Sequence, residues 1–222
     1  MVKLVIFDFD GVIITGSNEG YFRCYHKTLE TVGVSLDPSE ERKRILQIWG
    51  KGYKYQLQLL LKEHPEILPK AVKIYEKYYW SPLFSINIKL IKGAKGVLTR
   101  LSKLYTLVIG AGMRRKRLEI LTKQFKLEKY FKIIISNSDI ENPDNKKPSP
   151  YMLNMIVDRY RVHKNEAIYV TDAKSDVEMA LKAGITPVIV LTGHLSKDEA
   201  KKLKIKYIIP DIAHLPKLLA SI

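Results

Sequence analysis

Acidic residues stand at two points where an apolar run stops. Leu4-Val5-Ile6-Phe7 leads into Asp8-Phe9-Asp10-Gly11-Val12, and Ile168-Tyr169-Val170-Thr171 leads into Asp172-Ala173-Lys174-Ser175-Asp176. Each apolar run reads as a buried strand, and open α/β sheets bind ligands at the carboxyl ends of their strands. Asp8 and Asp10, at i and i+2, point to one side of an extended chain. Like charges so close repel, so the pair must be met by a cation or share a proton. A hard dication with oxygen ligands, Mg²⁺, suits them. Taken alone, the segment reads equally well as a strand end with two solvated acids before a Gly turn. Asp176 also has a bland reading, as an acid at a helix N-terminus. Asp172 has less excuse, because it closes an apolar strand. Together the four acids would make an acidic well. Lys146-Lys147-Pro148-Ser149-Pro150 reads as a loop before a Pro-started helix. Near such a well holding phosphate, a lysine neutralises the transferring group.

These residues need a scaffold to bring them to one edge. Similar apolar runs recur at 106–109, 132–135, 167–170, 187–191 and 207–209. Helical periods lie between them at 114–125, 150–160, 175–183 and 212–220. This alternation predicts an α/β fold with a doubly wound, Rossmann-like parallel sheet. From 16 to 86 only helical periods appear, at 21–31, 39–47, 55–63 and 69–79, punctuated by Asp37-Pro38-Ser39 and His64-Pro65. That stretch is too long for a loop. It is expected to pack as an inserted all-helical cap domain over 16–86, with 1–15 and 87–222 forming the α/β core.

Composition narrows the partners. The chain has 222 residues, 46% apolar and 27% charged, which suits a globular protein and not a disordered one. Lys and Arg number 38 against 23 acids, a net charge of +15. Nucleic acid, an anionic membrane or an acidic substrate would answer that charge, and so would a Lys-rich solvated surface. The 16–86 stretch holds 11 basic and 8 acidic residues, leaving 27 and 15, a net of +12, for the remainder. No nucleic-acid motif accompanies the charge, so a nucleic-acid partner is not expected. The single cysteine, Cys24, excludes an intramolecular disulfide and a Cys-built zinc site. No apolar run approaches the ~20 residues of a membrane span, and the N-terminus does not read as a signal peptide. A soluble cytoplasmic protein with no membrane partner is expected. His26, His64, His163, His194 and His214 show no ligand spacing. The 16–86 stretch is rich in Tyr21, Tyr25, Tyr53, Tyr55, Tyr75, Tyr78, Tyr79, Trp49 and Trp80, mostly expected as packing. Tyr21, Arg23 and Lys51 are polar enough to touch a substrate.

Asp8-Phe9-Asp10-Gly11-Val12, then Lys147-Pro148-Ser149-Pro150, then Asp172-x-x-x-Asp176, in this order and spacing, resemble the haloacid dehalogenase-like (HAD) hydrolases. The resemblance spans nearly the whole chain, and the helical insertion resembles the cap of the phosphoglycolate phosphatase and β-phosphoglucomutase branch. It implies a Mg²⁺-dependent phosphatase acting on a small phosphorylated metabolite. Asp8 would be the nucleophile, forming an aspartyl-phosphate. Asp10 would protonate the leaving oxygen and then deprotonate water. Lys147 would hold Asp8 and the phosphoryl oxygens. Mg²⁺ would be bound by Asp8, the backbone carbonyl of Asp10 and Asp172, with Asp176 as a ligand or the support of one. A phosphomutase-like transferase shares the first half-reaction and stays open.

One departure from the family follows the strand at 106–109. The family places Ser or Thr at its end, whereas this chain has Gly110-Ala111-Gly112. Gly110 then stands in the place of the hydroxyl, and backbone N–H groups of Ala111 and Gly112, with Lys147, remain to bind phosphate. A catalytically weakened binding protein of the same fold is the alternative this raises. The basic run Met113-Arg114-Arg115-Lys116-Arg117 is expected to be a solvated patch. The sharper reading has Arg114 or Arg115 reaching back to replace the hydroxyl.

Overall fold

The computed structural model describes residues 1–48 and 52–222; Trp49 and Lys51 lie outside the described residues. Strand β1 (Leu4–Phe7) is followed by β2 (Ile14–Thr15). Helices α1 (Ser17–Val32), α2 (Pro38–Gln47), α3 (Tyr53–Leu60) and α4 (Leu68–Trp80) come next. The chain continues through β3 (Lys89–Leu90), α5 (Ala94–Leu101), β4 (Thr106–Ala111), α6 (Arg115–Gln124), β5 (Ile133–Ser136) and α7 (Tyr151–Tyr160). It closes with β6 (Ala167–Thr171), α8 (Lys174–Ala183), β7 (Thr186–Val190), α9 (Lys197–Lys202), β8 (Tyr207–Ile209) and α10 (Leu215–Leu219). Two compact units result: Met1–Thr15 with Lys89–Ile222, and Gly16–Ile88.

The first unit is built on a six-stranded sheet in the order β5-β4-β1-β6-β7-β8. Every neighbouring pair is parallel. From β1 the sheet grows one way through β4 and β5, then the other way through β6, β7 and β8. The direction reverses between β1 and β6, which is where such sheets open a crevice for ligands. Every residue of β1 and β6 is buried, so both runs are apolar without alternation. Leu4, Ile6, Val108 and Tyr169 share a core with Met152 and Ile156 of α7 and Met179 of α8. Phe7 points the other way and meets Phe131 edge-on at 6.1 Å.

The short pair β2–β3 has no counterpart in the sequence patterns, because two residues cannot display a period of two. Ile14 pairs with Leu90 and Thr15 with Lys89, antiparallel, and the Ile91 N–H donates to the Ile13 carbonyl at 3.0 Å. This ribbon fastens together the two chain passages between which the insertion is made.

The second unit is the helical cap region, α1 to α4. The Asp37 carboxylate caps α2, accepting from the N–H groups of Ser39 (2.9 Å) and Glu40 (3.2 Å), with Pro38 in the first turn. Its core is aromatic. The Tyr75 ring stacks on Tyr25 at 4.6 Å and on Tyr53 at 4.9 Å, and Tyr79 meets Phe84 at 4.9 Å. Tyr25 donates to the Gln56 side chain where both are buried. Arg23 Nε donates to the Leu83 carbonyl at 3.0 Å, so part of this side chain serves the unit's own packing. Tyr21 lies against Phe84 at 4.9 Å, and Cys24 is buried. Among the described residues no helix is long and apolar enough to cross a membrane.

Candidate active site

Register decides which side chains meet at the carboxyl edge. β1 and β6 pair Ile6 with Tyr169, so these two share a face, and two residues further on that face carries Asp8 and Thr171. The Asp8 N–H donates to the Val170 carbonyl at 2.9 Å, extending the ladder by one step. Asp8 Oδ1 accepts from the Phe9 N–H at 2.8 Å. There the extended chain stops. The Phe9 carbonyl accepts from Ile13 and Ile14 (2.9 and 3.1 Å), and the Gly11 N–H donates to Ile14 at 2.8 Å. Asp8 and Asp10 are therefore not two steps along one strand, as the spacing suggested. Asp10 sits half-buried in a turn, bridged to Ile14.

Lys147 enters from the loop before α7, where its N–H donates to Asn137 Oδ1 at 3.0 Å. Its ammonium lies 2.8 Å from Asp176 Oδ2 and 3.4 Å from Asp8 Oδ1. It also donates to the Tyr169 hydroxyl oxygen at 2.5 Å. Asp176, in the first turn of α8, accepts on the same Oδ2 from Tyr169 (2.9 Å) and Thr171 (3.2 Å). That oxygen is thus committed to the lysine side of the site. Asp172 follows β6 and accepts on Oδ2 from the His194 N–H at 2.9 Å. Two loops close on this carboxylate. A Cβ at Gly193 would stand 1.8 Å from Oδ2, and one at Gly11, whose φ is +68°, would stand 2.2 Å from it. Only glycine lets backbone approach so near.

Burial makes these charges interact strongly. Burial, reinforced by the Asp176 and Asp172 carboxylates, holds the Asp8 carboxyl well above the usual range against the pull of Lys147. Burial also raises Asp172. For Asp176 burial works upward too, but Lys147 and the hydrogen bonds around it outweigh burial and hold its carboxyl down. Lys147 is raised, the Asp176 and Asp8 carboxylates overcoming the effect of its own burial. Burial and the same carboxylates push the Tyr169 hydroxyl well up, so it stays a donor.

The structure thus gathers Asp8, Lys147 and Asp176, with Asp172 within electrostatic reach. Gly110 is placed differently from expectation. A Cβ there would meet Ile6 Cγ2 at 3.2 Å, Ile156 Cδ1 at 3.3 Å and Met152 Sδ at 3.4 Å. A hydroxyl side chain at 110 would enter the apolar core. Gly110 instead offers its carbonyl, 3.1 Å from the Tyr169 hydroxyl. Ala111 ends β4 buried, and Gly112 follows it exposed. Arg115 pairs with Asp139 at 2.8 Å and its N–H donates to Ser138 at 3.0 Å, which holds it at the end of β5. Arg117 is buried, unlike the solvated patch expected for the run. Nothing in the sequence patterns assigns Tyr169, Thr171, Asn137 or Gly193 to the site. For Tyr169 a signal existed: a phenol inside a fully buried strand must find a polar partner.

Mg²⁺ can be tested against the donor set. Asp8 and Asp176 share the Lys147 ammonium, Asp172 adds a third buried carboxyl within electrostatic reach of Asp8, and every donor is a hard oxygen of the kind Mg²⁺ takes. The residues fit the ion. Among the described residues, however, no three His, Cys, Asp or Glu side chains are gathered as a ready-made cage.

With this geometry in view, comparison with known proteins is direct. Residues 5–190 match the haloacid dehalogenase-like hydrolase family model, and the chain belongs to that family. It is 28% identical to a Caldanaerobacter subterraneus protein named for the pyrophosphatase PpaX, over 98% of this chain and 94% of that one. It is 26% identical to the phosphorylated carbohydrates phosphatase of Thermotoga maritima, over 90% of this chain and 89% of that one. Among solved structures, a haloacid dehalogenase-like family hydrolase of Streptococcus pneumoniae superposes with a TM-score of 0.79 at 20% identity, covering 98% of both chains. The sheet is the Rossmann-like core of this family, and α1 to α4 are its cap region. The chain is a haloacid dehalogenase-like hydrolase.

Proposed function

We propose that the protein hydrolyses a small phosphomonoester or pyrophosphate through an aspartyl-phosphate on Asp8. The observation that carries this reading is the Lys147 ammonium held between Asp8 and Asp176 at the reversal point of the sheet. Asp8 attacks phosphorus, and the bond from phosphorus to the leaving oxygen breaks. Asp10 gives that oxygen its proton, then takes one from the water that attacks the phosphorylated Asp8. Phosphate leaves and Asp8 is restored. Lys147 meets the charge on the phosphoryl oxygens, with backbone N–H groups of Ala111 and Gly112 as further donors. Mg²⁺ would be held by Asp8, Asp172 and the carbonyl of Asp10, and supplies charge neutralisation of the transferring group. Asp176 serves as the partner of Lys147. The substrate names of the two relatives, a pyrophosphate and phosphorylated carbohydrates, set the first panel to try.

The test is turnover of p-nitrophenyl phosphate with and without Mg²⁺, wild type beside Asp8→Asn. Metal-dependent turnover that disappears in the variant is expected. Turnover that survives Asp8→Asn removes the proposal.

A further inference from the structure

Tyr169 is a polar residue of this site, in direct contact with Lys147, to which the mechanism above gives no task. Its ring is fully buried in the core formed by Leu4, Ile6, Met152, Ile156 and Met179. It stands in the middle of β6, paired with Ile6 on one side and Pro187 on the other. A phenol has two side-chain torsions, and packing on this scale locks both, so the hydroxyl oxygen is a fixed point. That oxygen touches three groups: Lys147 Nζ at 2.5 Å, Asp176 Oδ2 at 2.9 Å and the Gly110 carbonyl at 3.1 Å.

Lys147 needs such a fixed point. Its ammonium rides on a flexible four-carbon stem and carries three protons. Tyr169 and Asp176 accept at 2.5 and 2.8 Å, whereas Asp8 Oδ1 is further off at 3.4 Å. We propose that Tyr169 is a positioning residue whose hydroxyl, with Asp176, holds the Lys147 ammonium so that its third N–H stays directed to Asp8 and to the phosphoryl group there. The Gly110 carbonyl, 3.1 Å from the same hydroxyl, competes with Asp176 for its one proton and lies at the end of β4. Without the hydroxyl, a buried ammonium lacks one acceptor and must find another, at Asp8 or in solvent. The role rests on the phosphatase reading above.

Tyr169→Phe keeps the ring and removes only the oxygen. Turnover of p-nitrophenyl phosphate at saturating Mg²⁺ is the readout, together with Tm. We expect kcat to fall about tenfold or more while KM changes by less than about threefold, because the charge that Lys147 meets grows in the transition state. Ile156→Val, in the same core, is the packing control, and its kcat should stay within about twofold of wild type. An active wild type with Tyr169→Phe within about twofold in kcat overturns this role alone. So does a loss confined to KM, or a loss that Ile156→Val reproduces at the same drop in Tm. A wild type that turns over no phosphomonoester overturns the phosphatase reading and this role together.

Discussion

Gly193→Ala aims a single methyl group at a single carboxylate. The φ of Gly193 lies outside the left-handed region, so alanine meets no backbone penalty there. Its Cβ would stand 1.8 Å from Asp172 Oδ2, 2.4 Å from Cγ and 2.6 Å from Cβ. Ordinary contact begins near 3.4 Å, so the nearest oxygen must retreat by about 1.6 Å. Turning the carboxylate cannot supply this, because Asp172 Cβ is itself too close. The side chain must shift as a whole, in a place where it is only 2% exposed. It would also leave the His194 N–H that it accepts from. Overpacking of this kind costs about 1–3 kcal/mol of stability. A misplacement of about 1 Å in a catalytic constellation costs about a hundredfold in rate. The expected result is a folded protein with turnover reduced about a hundredfold and a raised requirement for Mg²⁺. Rates of p-nitrophenyl phosphate hydrolysis across a Mg²⁺ series, with urea unfolding in parallel, measure both. Gly96→Ala, on α5 with open space around the new Cβ, should gain about 0.5–1 kcal/mol and leave turnover unchanged. Wild-type turnover in Gly193→Ala at the wild-type Mg²⁺ requirement would refute the placement of Asp172 in the site.

Two further outcomes concern the cap region. Tyr25→Phe leaves the buried Gln56 side chain without the donor that Tyr25 supplies, and urea unfolding should show a loss of about 1–3 kcal/mol. Asp37 is held below the usual carboxylate range by the Ser39 hydroxyl and the N–H groups of Glu40 and Ser39. The cap's contribution is therefore present above the unfolded pKa and lost as pH falls through the depressed one, so Asp37→Ala should lower Tm at neutral pH, and the gap should close as pH falls below the ordinary aspartate range.

The α/β alternation was legible because buried parallel strands are short, apolar and unbroken. β8 lies at Tyr207–Ile209, as its run predicts, and β6 extends its run only to Thr171. The helices α1 to α4 were legible for the converse reason, a long stretch with helical periods and no strand. What escaped has physical causes. β2 and β3 have two residues each, and their pairing is set by distant chain passages, not by any local pattern. The 212–220 stretch, predicted as one helix, begins as a 3₁₀ turn at Ile212–His214 and becomes α-helical only from Leu215, where Pro216 suits a first turn.

At the site, residue type was legible and direction was not. Asp8 and Asp172 declare themselves by charge at the ends of apolar runs, whereas Asp176 and Lys147, in polar segments, stand out only through the order and spacing of the family resemblance. Gly110 shows the limit: a missing hydroxyl looks like a missing phosphate donor until the strand's facing is known, and that face is core. Facing follows from register between neighbouring strands. With Ile6 opposite Tyr169, one face carries in turn an aliphatic core, a phenol hydroxyl, and then Asp8 with Thr171. A slip of β6 by one residue would send Tyr169 and Thr171 to the opposite face. Lys147 and Asp176 would then lose the hydroxyl that joins them. The apolar residues of β1 and β6 that hold this register are therefore part of what builds the candidate site, although none of them carries a reactive group.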